Sequence, residues 1–251
     1  ITIIIKEFMA GHSKWANIKH KKAAQDAKRG KVFTKIIKEL MVSAKIGGSD
    51  QEANPRLRQA ISSAKAANMP NDTMMRAIQK GAGELEDVNY EETTYEGYGP
   101  GGVAIMIDVM TDNKNRTVAE IRHLMSKYGG NLAENGSVSW MFEKMGQITI
   151  SADDYDENQV FEEVLEIGAN DFSTLDNAFI ITSDPSSTVD IADTMIQKGY
   201  KVISSGVEMI PKNTLKVKGE EEKKLMNLVD LLEEHDDIQN IYSNFELEDA
   251  D

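Results

Sequence analysis

Cysteine is absent from all 251 residues of the sequence. This absence excludes a disulfide framework, a thiolate zinc site and a cysteine nucleophile. Proteins without disulfides are typical of reducing compartments, so we expect a cytoplasmic protein.

Long apolar runs are also missing. The strongest one, VAIMIDVM at residues 103–110, is interrupted by Asp108 and is far shorter than the roughly 20 residues that a membrane-spanning helix needs. The opening residues ITIIIKEF lack the basic start and the length of a signal peptide. Because Met9 resembles a natural start, we expect residues 1–8 to be a foreign leader, and we expect no membrane partner.

Signatures of catalysis are scarce as well. The sequence has no GxxxxGK[ST] phosphate-binding loop, and its one GxGxxG match, GYGPGG, precedes a predicted strand, so that we interpret it as a turn. The four histidines are scattered without the spacing of metal ligands or of a nucleophile's partner. The sequence therefore predicts a protein that is not an enzyme and that uses neither a metal nor another cofactor.

Charge is plentiful but unevenly distributed. The whole chain has a net charge of −14. Residues 9–83 contain fifteen Lys and Arg against five Asp and Glu, a net charge of +10, whereas residues 84–251 contain twelve against thirty-six, a net charge of −24. This asymmetry indicates that the first part binds a polyanion, while the acidic part keeps the protein soluble and repels phosphate.

The most basic stretch is GHSKWANIKHKKAAQDAKRGKVFTK at residues 11–35, in which Asp26 is the single acid. A solvated helix face is the ordinary explanation of such a run, but its contrast with the rest of the chain favours phosphate binding. An aromatic or histidine ring there can also stack on an unpaired base. The predicted nucleic-acid-binding residues are Lys14, Trp15, Lys19, His20, Lys21, Lys22, Lys28, Arg29, Lys31 and Lys35.

Hydrophobic periodicity predicts a small helical bundle at residues 30–83. An apolar stripe from Phe33 to Ala44 indicates one helix, and Asn54 followed by Pro55 predicts the start of a second. A short third helix is predicted to end at Gly81. The alanine-rich stretch at residues 16–29 is either a helix on this bundle or an arm that its partner orders, and we favour the arm.

After a charged linker at residues 84–96, strands and helices alternate. The order β-α-β, then β-α-β-β-α-β, then β-α-β predicts one ferredoxin-like domain inserted into another. The predicted fold class is therefore α+β with three domains. These are a basic helical domain at residues 9–83, a discontinuous acidic α/β domain at residues 84–144 plus 206–251, and an inserted α/β domain at residues 145–205.

The segment TDNKNRT at residues 111–117 follows a predicted buried strand and allows two interpretations. In the first and more ordinary one, Thr117 and Glu120 form a capping box at the start of a helix over residues 117–127. In the second, part of the segment lines an interdomain cleft, where an arginine can hold a phosphate or an acidic side chain. The candidate cleft residues are Asp112, Asn113, Asn115 and Arg116.

Several long motifs, in order, resemble those of the YebC family, which includes the mitochondrial translational activator of cytochrome oxidase. They are MAGHSKWANIKHKKAAQDAKRGK, NPRLRQAISSAKAANMP, YEGYGPGGVAIMI, TDNKNRT and GSVSWMFE. The resemblance extends over about residues 9–251 and implies a helical domain and two α/β domains, one inserted in the other. It also implies a cytoplasmic, probable DNA-binding transcriptional regulator, although other members resemble ribosome-associated factors that aid the synthesis of proline-rich sequences.

Two functions therefore stay open. In the first, the basic domain follows duplex DNA phosphates. In the second, it contacts ribosomal RNA, and ribosomal proteins or a tRNA are further partners. A scaffold that binds only proteins needs no basic domain and ranks last. The sequence predicts a nucleic-acid-binding regulator of gene expression that contacts DNA or ribosomal RNA through residues 9–83.

Overall fold

The computed structural model describes residues 29–85, 89–153, 155–175 and 177–247. Within these ranges the chain forms two compact units, one of residues 29–139 with 218–241 and one of residues 140–217 with 242–247. No helix in the described ranges is long and apolar enough to cross a membrane.

The described residues form seven helices and ten strands. The helices are α1 (Arg29–Gly47), α2 (Pro55–Ala66), α3 (Asn71–Gly81), α4 (Lys114–Lys127), α5 (Glu157–Glu166), α6 (Thr188–Gln197) and α7 (Gly219–Glu233). The strands are β1 (Glu91–Tyr98), β2 (Ala104–Thr111), β3 (Asn131–Leu132), β4 (Phe142–Ser151), β5 (Asp171–Leu175), β6 (Ala178–Ser183), β7 (Val202–Pro211), β8 (Leu215–Val217), β9 (Ile238–Ser243) and β10 (Phe245–Leu247).

Helices α1, α2 and α3 form the predicted bundle. The apolar stripe of α1, which includes the fully buried Leu40, packs in one core with the apolar faces of α2 and α3. Asn54 caps α2, because its side chain accepts a hydrogen bond of 3.0 Å from the Leu57 amide. At Gly81 a Cβ atom would lie 2.1 Å from the Met41 carbonyl oxygen, so only glycine permits this approach of α3 to α1. The three predicted helices are confirmed.

The first unit also contains a four-stranded sheet with the order β3-β1-β2-β9. Strands β1 and β2 are antiparallel and are joined by a 3-10 turn at Pro100–Gly102, in which Gly101 and Gly102 have positive φ. The GYGPGG segment is thus a turn, as predicted. The predicted linker at residues 84–96 is wrong, because β1 lies partly in it. Strand β1 is mostly polar, and its pairing with the apolar strand β2 is what holds it in the sheet. Its own sequence therefore gives only a weak strand signal.

The second unit has the predicted ferredoxin-like order β4-α5-β5-β6-α6-β7, with the strands arranged β5-β6-β4-β7. Its core contains Ile148, Phe179 and Met195 from β4, β6 and α6. The α+β class is confirmed.

Two strand boundaries in this unit were predicted wrongly. The sequence predicts separate strands at residues 138–142 and 147–151, and again at residues 201–205 and 207–217. The structure instead has β4 running unbroken through Gly146 and β7 running unbroken through Gly206. Both glycines are paired within the β4–β7 ladder, Gly146 with Val207 and Gly206 with Gln147. A Cβ at Gly146 would lie 1.9 Å from the Thr188 hydroxyl, so this glycine marks a close approach of α6 rather than a strand end. The exact limits of the three domains stay a prediction.

Candidate functional site

Asp237 is a buried carboxylate in the first unit, immediately before β9, and three other elements contact it. The Lys38 Nζ of α1 lies 2.6 Å from its Oδ1 atom. Its Oδ2 atom accepts hydrogen bonds from the Thr117 hydroxyl at 2.7 Å, the Arg116 Nη2 at 2.8 Å and the Thr111 hydroxyl at 3.0 Å. Two cations and two hydroxyls therefore satisfy one carboxylate.

These donors determine the ionisation of Asp237. Burial alone raises the pKa of the Asp237 carboxyl, but hydrogen bonds from Lys38, Thr117 and Arg116 outweigh burial and hold the pKa well below its usual range. The carboxylate is therefore charged at neutral pH. Its negative charge holds the surrounding lysine, arginine and hydroxyl groups in place.

Lys38 is committed entirely to contacts inside the protein. Besides Asp237, its ammonium group donates to the Asp236 carbonyl at 2.9 Å and to the Met110 carbonyl at 3.3 Å. It also lies 5.2 Å from the centre of the Tyr90 ring. Sequence analysis assigns no individual role to Lys38. Nothing in its local sequence distinguishes it from a solvated lysine, because its partners are about 70 and 200 residues away.

The TDNKNRT segment forms the start of α4, but not with the predicted cap. Asn113 is the N-cap, and its side-chain oxygen accepts a hydrogen bond of 3.1 Å from the Arg116 amide. The capping box of Thr117 and Glu120 is therefore wrong, because α4 begins at Lys114 and Thr117 lies inside its first turn. Thr117 is fully buried, and its hydroxyl contacts the Asp237 carboxylate and the Asn113 carbonyl instead of capping a backbone amide.

A cleft of about 460 Å³ opens beside this buried network. Of the four predicted cleft residues, Asp112 and Arg116 line it, whereas Asn113 caps α4 and Asn115 is exposed elsewhere on the helix. Arg116 is held between two carboxylates, because its Nη2 atom also lies 2.8 Å from Asp112 Oδ1. The lining residues are Lys31, Thr34, Lys38, Tyr90, Asp112, Arg116, Glu120, Glu234, His235, Asp236 and Asp237.

His235 connects the cleft wall to the network. Its Nδ1 atom accepts a hydrogen bond of 3.1 Å from the Asp237 amide, and its Nε2 atom lies 2.7 Å from the Glu120 carboxylate. Because Nδ1 accepts, Nε2 is the ring nitrogen that donates to Glu120. Within the described ranges, no three histidine or acidic side chains are placed to hold a metal ion.

Two predicted nucleic-acid-binding residues are engaged at the C-terminus of α7. Lys31 Nζ donates to the Glu234 carbonyl at 2.9 Å, and Lys35 Nζ donates to the Glu233 carbonyl at 2.8 Å. The last carbonyls of a helix lack partners within the helix and carry its negative dipole end, so lysines are favourable there. Arg29 begins α1. The other predicted residues, Lys14, Trp15, Lys19, His20, Lys21, Lys22 and Lys28, lie outside the described residues.

Other cations of the bundle divide into engaged and open groups. Arg56 forms ion pairs with Glu39 and Glu92, which raise its pKa further above its usual range. Lys45 contacts Asn89, and Arg58 donates to two loop carbonyls. Three further cations are exposed and make no hydrogen bond or ion pair with any described residue. They are Lys65, Arg76 and Lys80.

The sequence matches two domain families. Residues 13–84 match the family described as "TACO1/YebC protein N-terminal domain". Residues 90–245 match the family described as "TACO1/YebC second and third domain". Together these matches cover most of the chain.

Individual relatives are similar over almost their whole length. The chain is 52% identical over 245 residues to a "Probable transcriptional regulatory protein" of Natranaerobius thermophilus, covering 96% of this chain and 98% of the relative. It is 52% identical over 244 residues to a protein of the same name from Carboxydothermus hydrogenoformans, covering 96% and 100%. The fold resembles the crystal structure of a conserved hypothetical protein from Aquifex aeolicus, with a TM-score of 0.83, 42% identity, and coverage of 90% and 93%.

Proposed function

The chain belongs to the TACO1/YebC family, and from this premise we propose that it is a cytoplasmic, nucleic-acid-binding regulator of gene expression. The family membership confirms the resemblance noted in the sequence. The observation that carries the proposal is the concentration of positive charge in residues 9–83, a net +10 against −24 in the remainder. Because curated relatives are named probable transcriptional regulatory proteins, DNA is the first candidate target.

The contacts within the first unit narrow the set of phosphate-binding residues. Lys38 is buried in an ion pair, and Arg56 is held by two carboxylates. Among the described bundle residues, the cations that stay available are the exposed Lys65, Arg76 and Lys80, and the predicted cations at residues 14–28 lie outside the described residues. Contacts of this kind neutralise phosphates and supply affinity without selecting a base sequence.

The buried Asp237 network supports this function by fixing the basic bundle in place. It joins α1 of the bundle to the end of β2, the start of α4 and the residue before β9. A carboxylate and an ammonium group that are both more than nine-tenths buried can each tolerate burial only while the other is present. Asp237 is therefore a positioning residue for the nucleic-acid-binding domain.

Binding to ribosomal RNA is the second candidate function. It is favoured by the chemistry of the open cations, which are suited to phosphates. Folded RNA can position such a protein by shape, without base contacts. In this case the acidic remainder of the chain keeps clear of phosphate except where the basic domain touches it.

The proposal is tested by measuring binding of the full chain to duplex DNA and to a folded ribosomal RNA fragment by fluorescence polarisation. The test variant replaces five basic residues by alanine, namely Lys19, Lys21, Lys22, Lys28 and Arg29. The control removes the same charge from exposed lysines outside the basic domain, namely Lys201, Lys212, Lys216, Lys223 and Lys224. We expect the test variant to lose most of its affinity and the control to keep it. Equal losses would show that only total charge matters and would overturn the assignment.

A further inference from the structure

One face of α1 carries three lysines that all contact the same short segment. Lys31, Lys35 and Lys38 are spaced at i, i+4 and i+7, which places them on one side of the helix. Their ammonium groups contact oxygens of residues 233–237, at the end of α7 and in the loop after it. We call residues 233–237 the acidic cap, because they include Glu233, Glu234, Asp236 and Asp237.

The contacts between α1 and the acidic cap differ strongly in exposure. Lys38 and Asp237 form an inner pair with side chains 6% and 7% exposed. Lys31 and Glu234 form an outer pair, 4.0 Å apart, with side chains 45% and 50% exposed. An exposed pair contributes little to stability, whereas breaking a buried one leaves an uncompensated charge. Another anion can therefore replace the outer contacts of the lysines while the buried pair of Lys38 and Asp237 remains intact.

Like a phosphate backbone, the acidic cap presents oxygen acceptors to Lys31 and Lys35, but these acceptors are weaker than phosphate oxygens. Lys31 and Lys35 donate to main-chain carbonyls, which carry only the partial negative charge of a helix C-terminus. A phosphodiester carries a full charge and accepts charge-assisted hydrogen bonds. Both lysines also lie at the end of the most basic stretch of the chain, residues 11–35, so a polyanion bound by the earlier part of that stretch reaches them next.

We propose that the acidic cap is a built-in competitor of nucleic acid. It occupies Lys31 and Lys35 in the free protein and releases them when a phosphate backbone binds along α1, while Lys38 and Asp237 remain paired. This inference rests on the proposed function and adds an autoinhibitory contact to it. It assigns to Lys31 and Lys35 a binding role that depends on displacement of the cap.

The test compares two pairs of charge-neutralising substitutions in the full chain. The first pair, Glu234→Gln with Asp236→Asn, removes the two exposed carboxylates of the acidic cap, including the one that lies 4.0 Å from Lys31 Nζ, and leaves the main-chain carbonyls in place. The control pair, Glu220→Gln with Glu221→Gln, makes the same change of net charge in the first turn of α7, about 20 Å away along the helix. Each pair is combined with Lys31→Ala and Lys35→Ala, and dissociation constants are measured for a DNA duplex and for an RNA hairpin at one fixed salt concentration.

We expect the acidic-cap variant to bind about two- to fivefold more tightly than the control variant, as the loss of an exposed ion-pair competitor allows. This difference should disappear in the Lys31→Ala, Lys35→Ala background. The nucleic acid for which the difference in affinity is seen, DNA or RNA, is the one whose phosphates compete with the acidic cap.

Two outcomes would overturn the inference while leaving the proposed function intact. One is equal affinity of the acidic-cap and control variants, with clear binding by both. The other is an affinity gain that survives in the Lys31→Ala, Lys35→Ala background. If neither the unmodified chain nor any variant binds DNA or RNA, the proposed function itself fails. Circular dichroism of each variant verifies that the helices remain intact.

Discussion

Lys38 Nζ and Asp237 Oδ1 lie 2.6 Å apart, although 199 residues separate them in the sequence. Removing only one of two buried charges is costly, because the other remains without compensation. We therefore expect Asp237→Asn to lower the free energy of unfolding by about 3–5 kcal/mol. Urea denaturation followed by circular dichroism measures this. The matched control is Asp236→Asn, an exposed neighbour, for which a change within about 0.5 kcal/mol is expected. Equal effects would show that the pair does not stabilise the fold.

The pH dependence of stability should contain a separate contribution from Asp237. Its pKa is lower in the folded protein than in the unfolded chain, where an aspartate has a pKa of about 3.9. Its stabilising contribution is therefore fully present above about pH 4 and is lost as the pH falls toward the depressed folded pKa. We expect the stability difference between the unmodified chain and Asp237→Asn to be constant from pH 7 to about pH 5 and to shrink below about pH 4. Urea midpoints measured across this range check it, and a difference independent of pH would contradict it.

The two polar residues at the start of α4 should respond differently to substitution. Asn113→Ala removes the N-cap and should cost about 1 kcal/mol. Thr117→Val removes a buried hydroxyl that donates to a charged carboxylate and should cost about 1.5–3 kcal/mol. Thr117→Ser, which keeps the hydroxyl, serves as the control. A loss for Thr117→Val no larger than that for Thr117→Ser would contradict a stabilising role of the hydroxyl.

The capping-box prediction for this segment had a sound local reason, and the structure shows its limit. A threonine followed three residues later by a glutamate is a common helix start, but Asn113 is an equally good cap four residues earlier. The choice depends on Asp237, which draws the Thr117 hydroxyl into the core from more than a hundred residues away. Local signals did predict the bundle helices and the Asn54 cap, because those signals lie within a few residues of each other.

The network around Lys38 could not be predicted in the same way. Its members come from α1, β2, α4 and the residue before β9, and each is an ordinary polar residue in its own segment. Arg116 was recognised because it follows a buried strand, where polar side chains often collect. Lys31 and Lys35 were assigned to nucleic acid from charge alone, and their contacts with the C-terminus of α7 depend on tertiary packing.

A second buried carboxylate, Glu96, holds the loop before β4. Its Oε1 atom accepts the Gly136 amide at 2.8 Å, and its Oε2 atom accepts the amides of Val138 at 2.7 Å and Ser139 at 2.9 Å. Burial raises the pKa of Glu96, but these three hydrogen bonds outweigh it and leave the pKa below its usual value.

Glu96→Gln replaces an accepting oxygen by an amide group that donates, so one backbone amide is left opposite another donor. We expect a loss of about 1–3 kcal/mol in the free energy of unfolding and faster amide hydrogen exchange at Gly136, Val138 and Ser139. The exposed Glu92→Gln on the same strand is the control. Unchanged exchange at those three amides would contradict the clamp.

The final prediction concerns how sequence-specific the binding is. A regulator that selects particular DNA needs base-edge or shape contacts worth about 4 kcal/mol or more over non-specific binding. The open cations of the described bundle, Lys65, Arg76 and Lys80, are instead phosphate-binding types, and the predicted residues of the basic segment are mostly lysines. We therefore expect less than about a tenfold preference, roughly 1.4 kcal/mol, between a candidate promoter and scrambled DNA at physiological salt.

An electrophoretic mobility-shift assay with competitor DNA measures this preference. Sedimentation of a cell lysate with and without RNase shows whether the protein binds ribosomal RNA. A footprint on one promoter that persists against excess scrambled DNA would contradict the prediction and establish a sequence-specific transcriptional regulator. Weak DNA preference combined with RNase-sensitive co-sedimentation with ribosomal subunits would favour the ribosomal function, because folded RNA selects such a protein by shape and needs no base-specific contact. The positive charge of residues 9–83 is required in either case, so the alanine variant of the basic segment should lose both activities together.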